Sequence, residues 1–148
     1  MAPDRDRPAP PATSTSVLVL TLARRVEAEL GAALAPLGLT VGRLGLLGHI
    51  SALPGISFSE LARMSGTSVQ SVHVAVKALV VGGLARDDSA RAGAASRIEL
   101  TDAGGRLLRE AKEVVAGVDR RVFGVERDPV LRRIGAAVHA AFTEAAGD

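Results

Sequence analysis

The sequence predicts a mainly α fold in which two short helices joined by a tight turn precede a two-stranded β-hairpin, with longer helices at both ends. Three observations carry that expectation. Two helix-start signals fall close together in SFSELARMSGTSVQSVHVAVKAL, residues 57–79. Two short, partly alternating runs, LARDD and SRIEL, follow the pair Gly82-Gly83. Apolar residues recur at helical spacing on either side of this centre.

The elements follow in order. Residues 1–16, MAPDRDRPAPPATSTS, are rich in Pro, Ser and Thr and alternate Asp with Arg; they read as a disordered, solubilising arm. From Val17 to Leu34 the residues Leu18, Leu22, Val26, Leu30 and Leu34 share a helix face, with Arg24, Arg25, Glu27 and Glu29 on a polar side. The opening VLVLTL also alternates like a strand, but the longer periodicity favours helix. Pro36 and Gly38 end it, and Thr40 caps a second helix reaching about Leu53. Gly42, Gly45 and Gly48 weaken that helix and suggest close approach of another one. Pro54-Gly55 closes it. After the two central helices, the LARDD and SRIEL runs form a hairpin with SARAGAA at its tip. Thr101 caps a helix running to about Phe123, and Asp128-Pro129 starts a last one through Leu131, Ile134, Val138 and Phe142. Met64 and the three Phe residues read as core.

Length and composition limit the function classes. The 148 residues suit one compact domain or one protomer of an oligomer, and 47% apolar residues can supply a core. The chain has no cysteine, which removes disulfides, Cys-based metal sites and thiol redox switches. Its N-terminus lacks a basic start followed by an apolar stretch, so no signal peptide is expected. VLVLTL is far shorter than the roughly 20 apolar residues a bilayer span requires. The expectation is a soluble, cytoplasmic protein with no membrane partner. A net charge of +2 permits nucleic-acid binding without demanding it. With Phe58, Phe123 and Phe142 as the only aromatics, a stacking platform for single strands is not expected. No nucleophile elbow, phosphate loop or paired-carboxylate motif is present, so neither an enzyme nor a cofactor is expected.

The central stretch carries the chemistry. Ser57 and Glu60 have capping-box spacing, Ala62 is small where a second helix must cross, and Gly66 supplies a positive φ for the turn. Val72 and Leu79, with Leu61, close a small core between the two helices. With Ser68 as N-cap, residues Val69, Gln70, Ser71, His73, Val74 and Lys77 line the outward faces of the second helix. Side chains near the start of such a helix reach base edges in the major groove of double-stranded DNA. Gln70 can bond adenine at two points, and Val69 or Val74 can meet a thymine methyl. Arg86, Arg91 and Arg97, on or beside the hairpin, and Arg63 on the first helix suit phosphate or minor-groove contact. The terminal helices have apolar faces too wide for so small a centre, and pairing with a second copy is the economical solution.

The run from LTVGRLGLLGHI through SELARMSGTSVQSVHVAVKALVVGGLARDD to RIELTDAGGRLL resembles the MarR family of winged-helix transcriptional regulators. ELARMSG, the spacing from Leu79 to Leu84, and LTDAG at 100–104 are its most specific parts. The resemblance implies a winged helix-turn-helix lobe at 57–105. It also implies dimerisation helices at 17–56 and 106–148 that intertwine in a homodimer. Two lobes would sit on adjacent major grooves of a palindromic operator, as a repressor more than an activator. A small-molecule effector pocket between dimer helices and lobes is implied as well, and His49 is the candidate ligand contact there.

The chain departs from the family pattern in its wing, where Ala and Gly occupy the tip and Asp87 and Asp88 come early. Val74 and Ala78 stand where basic residues are frequent. Five basic residues against four acidic leave a net charge of one over residues 56–100. An alternative reading is therefore a degenerate winged-helix protein-interaction module with weak or no specific DNA binding. His73 is a candidate base or phosphate contact. His139 has no second ligand at helical spacing, so no metal site is expected.

Overall fold

The computed structural model describes residues 14–88 and 97–144. The chain folds as α1 (Thr15–Leu34), a single 3₁₀ turn (Ala35–Leu37), α2 (Val41–Ala52), α3 (Phe58–Ser65), α4 (Val69–Val81), β1 (Ala85–Asp87), β2 (Ile98–Leu100), α5 (Asp102–Phe123) and α6 (Pro129–Glu144). The arm expected over 1–16 lies outside the described residues as far as residue 13. Its last residues are helical, because Ser14 Oγ accepts the Val17 N–H at 3.3 Å and starts α1 two residues early. VLVLTL is helix and not strand. Ser14 caps it, and the stretch continues into an unbroken helical periodicity.

Each central element begins on the signal the sequence carries. Thr40 Oγ1 accepts the Arg43 N–H and opens α2. Ser57 Oγ accepts the Glu60 N–H at 3.2 Å, while Glu60 Oε2 accepts the Ser57 N–H at 3.3 Å. Gly66, at φ 63°, ends α3, and Ser68 Oγ accepts the Ser71 N–H at 3.1 Å to begin α4. Thr101 does two jobs: its hydroxyl accepts the Gly104 N–H and donates to the Gly83 carbonyl at 2.6 Å. One side chain thus ties the end of α4 to the start of α5.

The two strands pair antiparallel, with Ala85 opposite Leu100, Arg86 opposite Glu99 and Asp87 opposite Ile98. The ladder gains a further rung that the sequence does not advertise. Gly55 N–H donates to the Ile98 carbonyl, and Ile98 N–H donates to the Ile56 carbonyl at 3.1 Å. The turn before α3 is thereby bound to the wing, and Ile56 and Ile98 are both buried.

One apolar cluster unites Leu46, Leu47 and Ile50 of α2, Leu61 and Ala62 of α3, Val72, Val76 and Leu79 of α4, Ile98, and Leu108 and Ala111 of α5. Among the described residues no charged or polar residue is buried as a whole, though the Ser65 hydroxyl oxygen is shielded from solvent. Two expectations need correction. Met64, 40% exposed, and Phe142, 77% exposed, lie outside the core. Met64 is off the face of α3 that Phe58, Leu61 and Ala62 bury. Phe142 shares the Leu131, Gly135 and Val138 face of α6 but sits in its last turn, which the chain leaves uncovered. The glycines of α2 do not mark a helix crossing within the protomer, since a Cβ at Gly45 or Gly48 would meet nothing within 4 Å. Close approaches occur at Gly104, where a Cβ would collide with the Leu84 carbonyl, and at Gly135, where it would lie 3.0 Å from Phe123 Cβ.

Candidate nucleic-acid interface

The orientation of α4 follows from its buried face. Val72, Val76 and Leu79 point into the core. At about 3.6 residues per turn, the opposite side is then the row Gln70, Val74, Lys77 and Val81. All four are exposed, Val74 by 68% and Val81 by 81%. Ser68, Val69 and Ser71 surround the open N-terminus of the helix and are also exposed. Free N–H groups and the positive end of the helix dipole at that terminus suit an anion.

His73 is exposed but not extended. Its imidazole stacks on the ring of Phe58, with centroids 3.7 Å apart and planes 18° from parallel. Phe58 itself is buried at the start of α3. The pair helps to line a cavity of about 560 Å3, with Val74, Lys77, Val80, Val81 and Asp87 also on its wall. Sequence reasoning treated Phe58 as core alone and so missed this contact, which joins residues 15 positions apart.

On the wing, Arg86 Nη2 lies 3.3 Å from Glu99 Oε2, a pair set by the strand register. Arg97 is exposed just before β2, and its carbonyl accepts the Asp88 N–H at 3.0 Å. Arg91 and the tip around it lie outside the described residues. Arg63 is exposed on α3. The Ser57 backbone N–H and hydroxyl, with Arg63 nearby, hold the Glu60 carboxyl below its ordinary value. The structure therefore brings Ser68, Val69, Gln70, Ser71, Val74 and Lys77 onto one helix, and sets Arg86 and Arg97 on the hairpin that follows it.

His49 is half-buried on α2 and does not line the α4 cavity. A second cavity, of about 470 Å3, lies where α5 meets α6, with Phe123, Gly135, Ala136 and Val138 as its apolar wall and Arg120, Arg132, Asp119 and His139 around it. No sequence signal marked it, because its two sides come from separate helices brought together at the Gly124 turn. Among the described residues, no three His, Asp or Glu side chains converge as metal ligands. No single described helix is long and apolar enough to cross a membrane.

A sequence model of the MarR family matches residues 37–93. The HTH-type transcriptional repressor Rv2887 of Mycobacterium tuberculosis is 37% identical over 96 residues, covering 64% of this chain and 69% of that protein. The chain belongs to the MarR family. Its fold is the winged helix-turn-helix with a two-stranded wing and added N- and C-terminal helices. Among solved structures of the family, M. tuberculosis Rv2887 in complex with DNA superposes with a TM-score of 0.73 at 28% identity, covering 88% of this chain and 98% of that one. The same protein in complex with salicylic acid gives a TM-score of 0.69 at 27% identity, over the same shares of the two chains.

Proposed function

We propose that this chain is a homodimeric, sequence-specific DNA-binding transcriptional regulator, a repressor acting on a palindromic operator in the cytoplasm, and not an enzyme. One observation carries the reading: α4 is locked into the core by Val72, Val76 and Leu79 and so presents Gln70, Val74 and Lys77 outward behind a Ser68-capped N-terminus. A rigid helix displayed by its N-terminal half is what major-groove reading requires. Ser68, Val69, Gln70, Ser71 and Val74 face bases, while Lys77, Arg63, Arg86, Arg91 and Arg97 face the DNA backbone. His73 lies at the edge of this surface.

The lobe spans 57–105 and rests on α2. Helix α1, the far end of α5 and α6 pair with a second copy, which covers apolar side chains such as Leu18, Leu20, Val138 and Phe142 that one protomer leaves exposed. A small apolar or anionic effector binds between dimer helices and lobes, close to His49. It releases DNA by preferring a spacing of the two lobes that does not fit the operator, and that preference must amount to a few kcal/mol.

Selection from a pool of random duplexes at near-physiological salt tests the reading. The expected outcome is a palindrome with half-sites one helical turn apart, about 34–36 Å. The exposed apolar residues Val74, Val80 and Val81 beside the α4 cavity favour a second reading, a protein-interaction module. Folded dimer that retains no common sequence would support that module instead.

A further inference from the structure

Two residues of the outward row of α4, Val74 and Val81, have no hydrogen-bonding atom in their side chains, and only Val74 stands between two polar members of the row. Val74 has Gln70 one turn before it and Lys77 one turn after, and it is 68% exposed. Val69 is 42% exposed and lies in the first turn of α4, off the outward row. His73, the adjacent polar candidate, has its ring committed to Phe58 at 3.7 Å. With the Lys77 ammonium turned to the DNA backbone, the mid-helix groups left for base edges are the Gln70 amide and the Val74 isopropyl group.

A buried polar group that loses water without gaining a partner is destabilised. In the major groove, guanine presents two acceptors, cytosine and adenine each an amino group, and thymine an acceptor with a methyl group. An isopropyl group pressed on any of the first three strands a donor or acceptor. Against the thymine methyl it buries apolar surface at no such cost. We infer that Val74 is a specificity-determining residue that selects thymine through its 5-methyl group. Gln70 sits about 6 Å away along the helix, so the adenine it bonds lies within about two base steps of about 3.4 Å. This inference rests on the DNA-binding reading above.

The test uses the full-length protein and the operator recovered by selection. Each thymine of the half-site is replaced in turn by deoxyuridine, which lacks only the methyl group. At one position the wild-type protein loses about four-fold in affinity per half-site, and about fifteen-fold when both half-sites are changed, as burial of one methyl group predicts. Val74→Ala binds the thymine and deoxyuridine duplexes equally. Val81→Ala, beyond the base-reading part of the helix, discriminates as wild type does. Val74 lies opposite the core face, so the variant keeps its helical circular dichroism and melting temperature. Equal binding of thymine and deoxyuridine duplexes by wild type overturns the inference while leaving DNA binding intact, and so does persistent discrimination by Val74→Ala. Failure to retain any duplex removes the DNA reading and this inference with it.

Discussion

Arg86 and Glu99 face each other across the wing, Nη2 to Oε2 at 3.3 Å, in directly opposed positions of the β1–β2 ladder. The pair consumes one of the few cations near the proposed interface. A cross-strand ion pair at an exposed site contributes at most about 1 kcal/mol. Its larger effect is on where the guanidinium points.

Glu99→Gln should therefore release Arg86 toward phosphate. Affinity for duplex DNA should rise, and the dependence of log K on log salt should steepen by about 0.9, the share of one added phosphate contact. Titrations at several salt concentrations measure both. An unchanged slope would place the wing away from the DNA backbone.

Gly104 and Gly105 make a matched pair. A Cβ at 104 collides with the Leu84 carbonyl, which also accepts the Thr101 N–H at 3.0 Å and cannot retreat freely. Gly104→Ala should cost about 1–3 kcal/mol. A Cβ at 105 meets only Arg109 Nη1 at 3.8 Å, the end of a flexible side chain. Gly105→Ala should stabilise by up to about 1 kcal/mol through helix propensity. With no Trp or Tyr in the chain, urea unfolding is best followed by far-ultraviolet circular dichroism.

Glu60 predicts a pH dependence. Its carboxyl is held below the ordinary 4.5, first by the Ser57 backbone N–H, then by the Ser57 hydroxyl, with a smaller contribution from Arg63. A depressed folded-state pKa stabilises the fold above the unfolded value and loses that contribution as pH falls through the folded one. Glu60→Gln should melt below wild type at pH 7, and the two curves should converge as pH drops through 4.5 and below. A gap that persists in acid would mean that the carboxylate charge is not what the cap uses.

The exposed apolar residues of α6 test the dimer. Val138→Asp with Phe142→Asp should give a folded monomer by sedimentation analysis. Loss of the second lobe should weaken operator binding by about 100-fold or more. A variant that stays dimeric would move the interface off this face.

The capped starts of the central helices were legible residue by residue. Ser57, Ser68 and Thr101 act on N–H groups within three positions, and Gly66 needs only its own backbone freedom, so local chemistry decides them. The face that α4 buries was legible too, because Val72, Val76 and Leu79 declare it by spacing alone. What the tertiary structure decided lies between segments distant in the chain. The Ile56 rung on Ile98, the Phe58 ring beneath His73, the contact of Gly104 with Leu84 and the α5–α6 cavity all join residues whose separation carries no periodic signal. Phe58 read as core and is core, yet its ring also sets the direction of a side chain on another helix. Met64 and Phe142 are the converse case: hydrophobicity marks a residue for burial, but whether the chain covers it depends on which neighbouring elements reach it, and no local pattern states that.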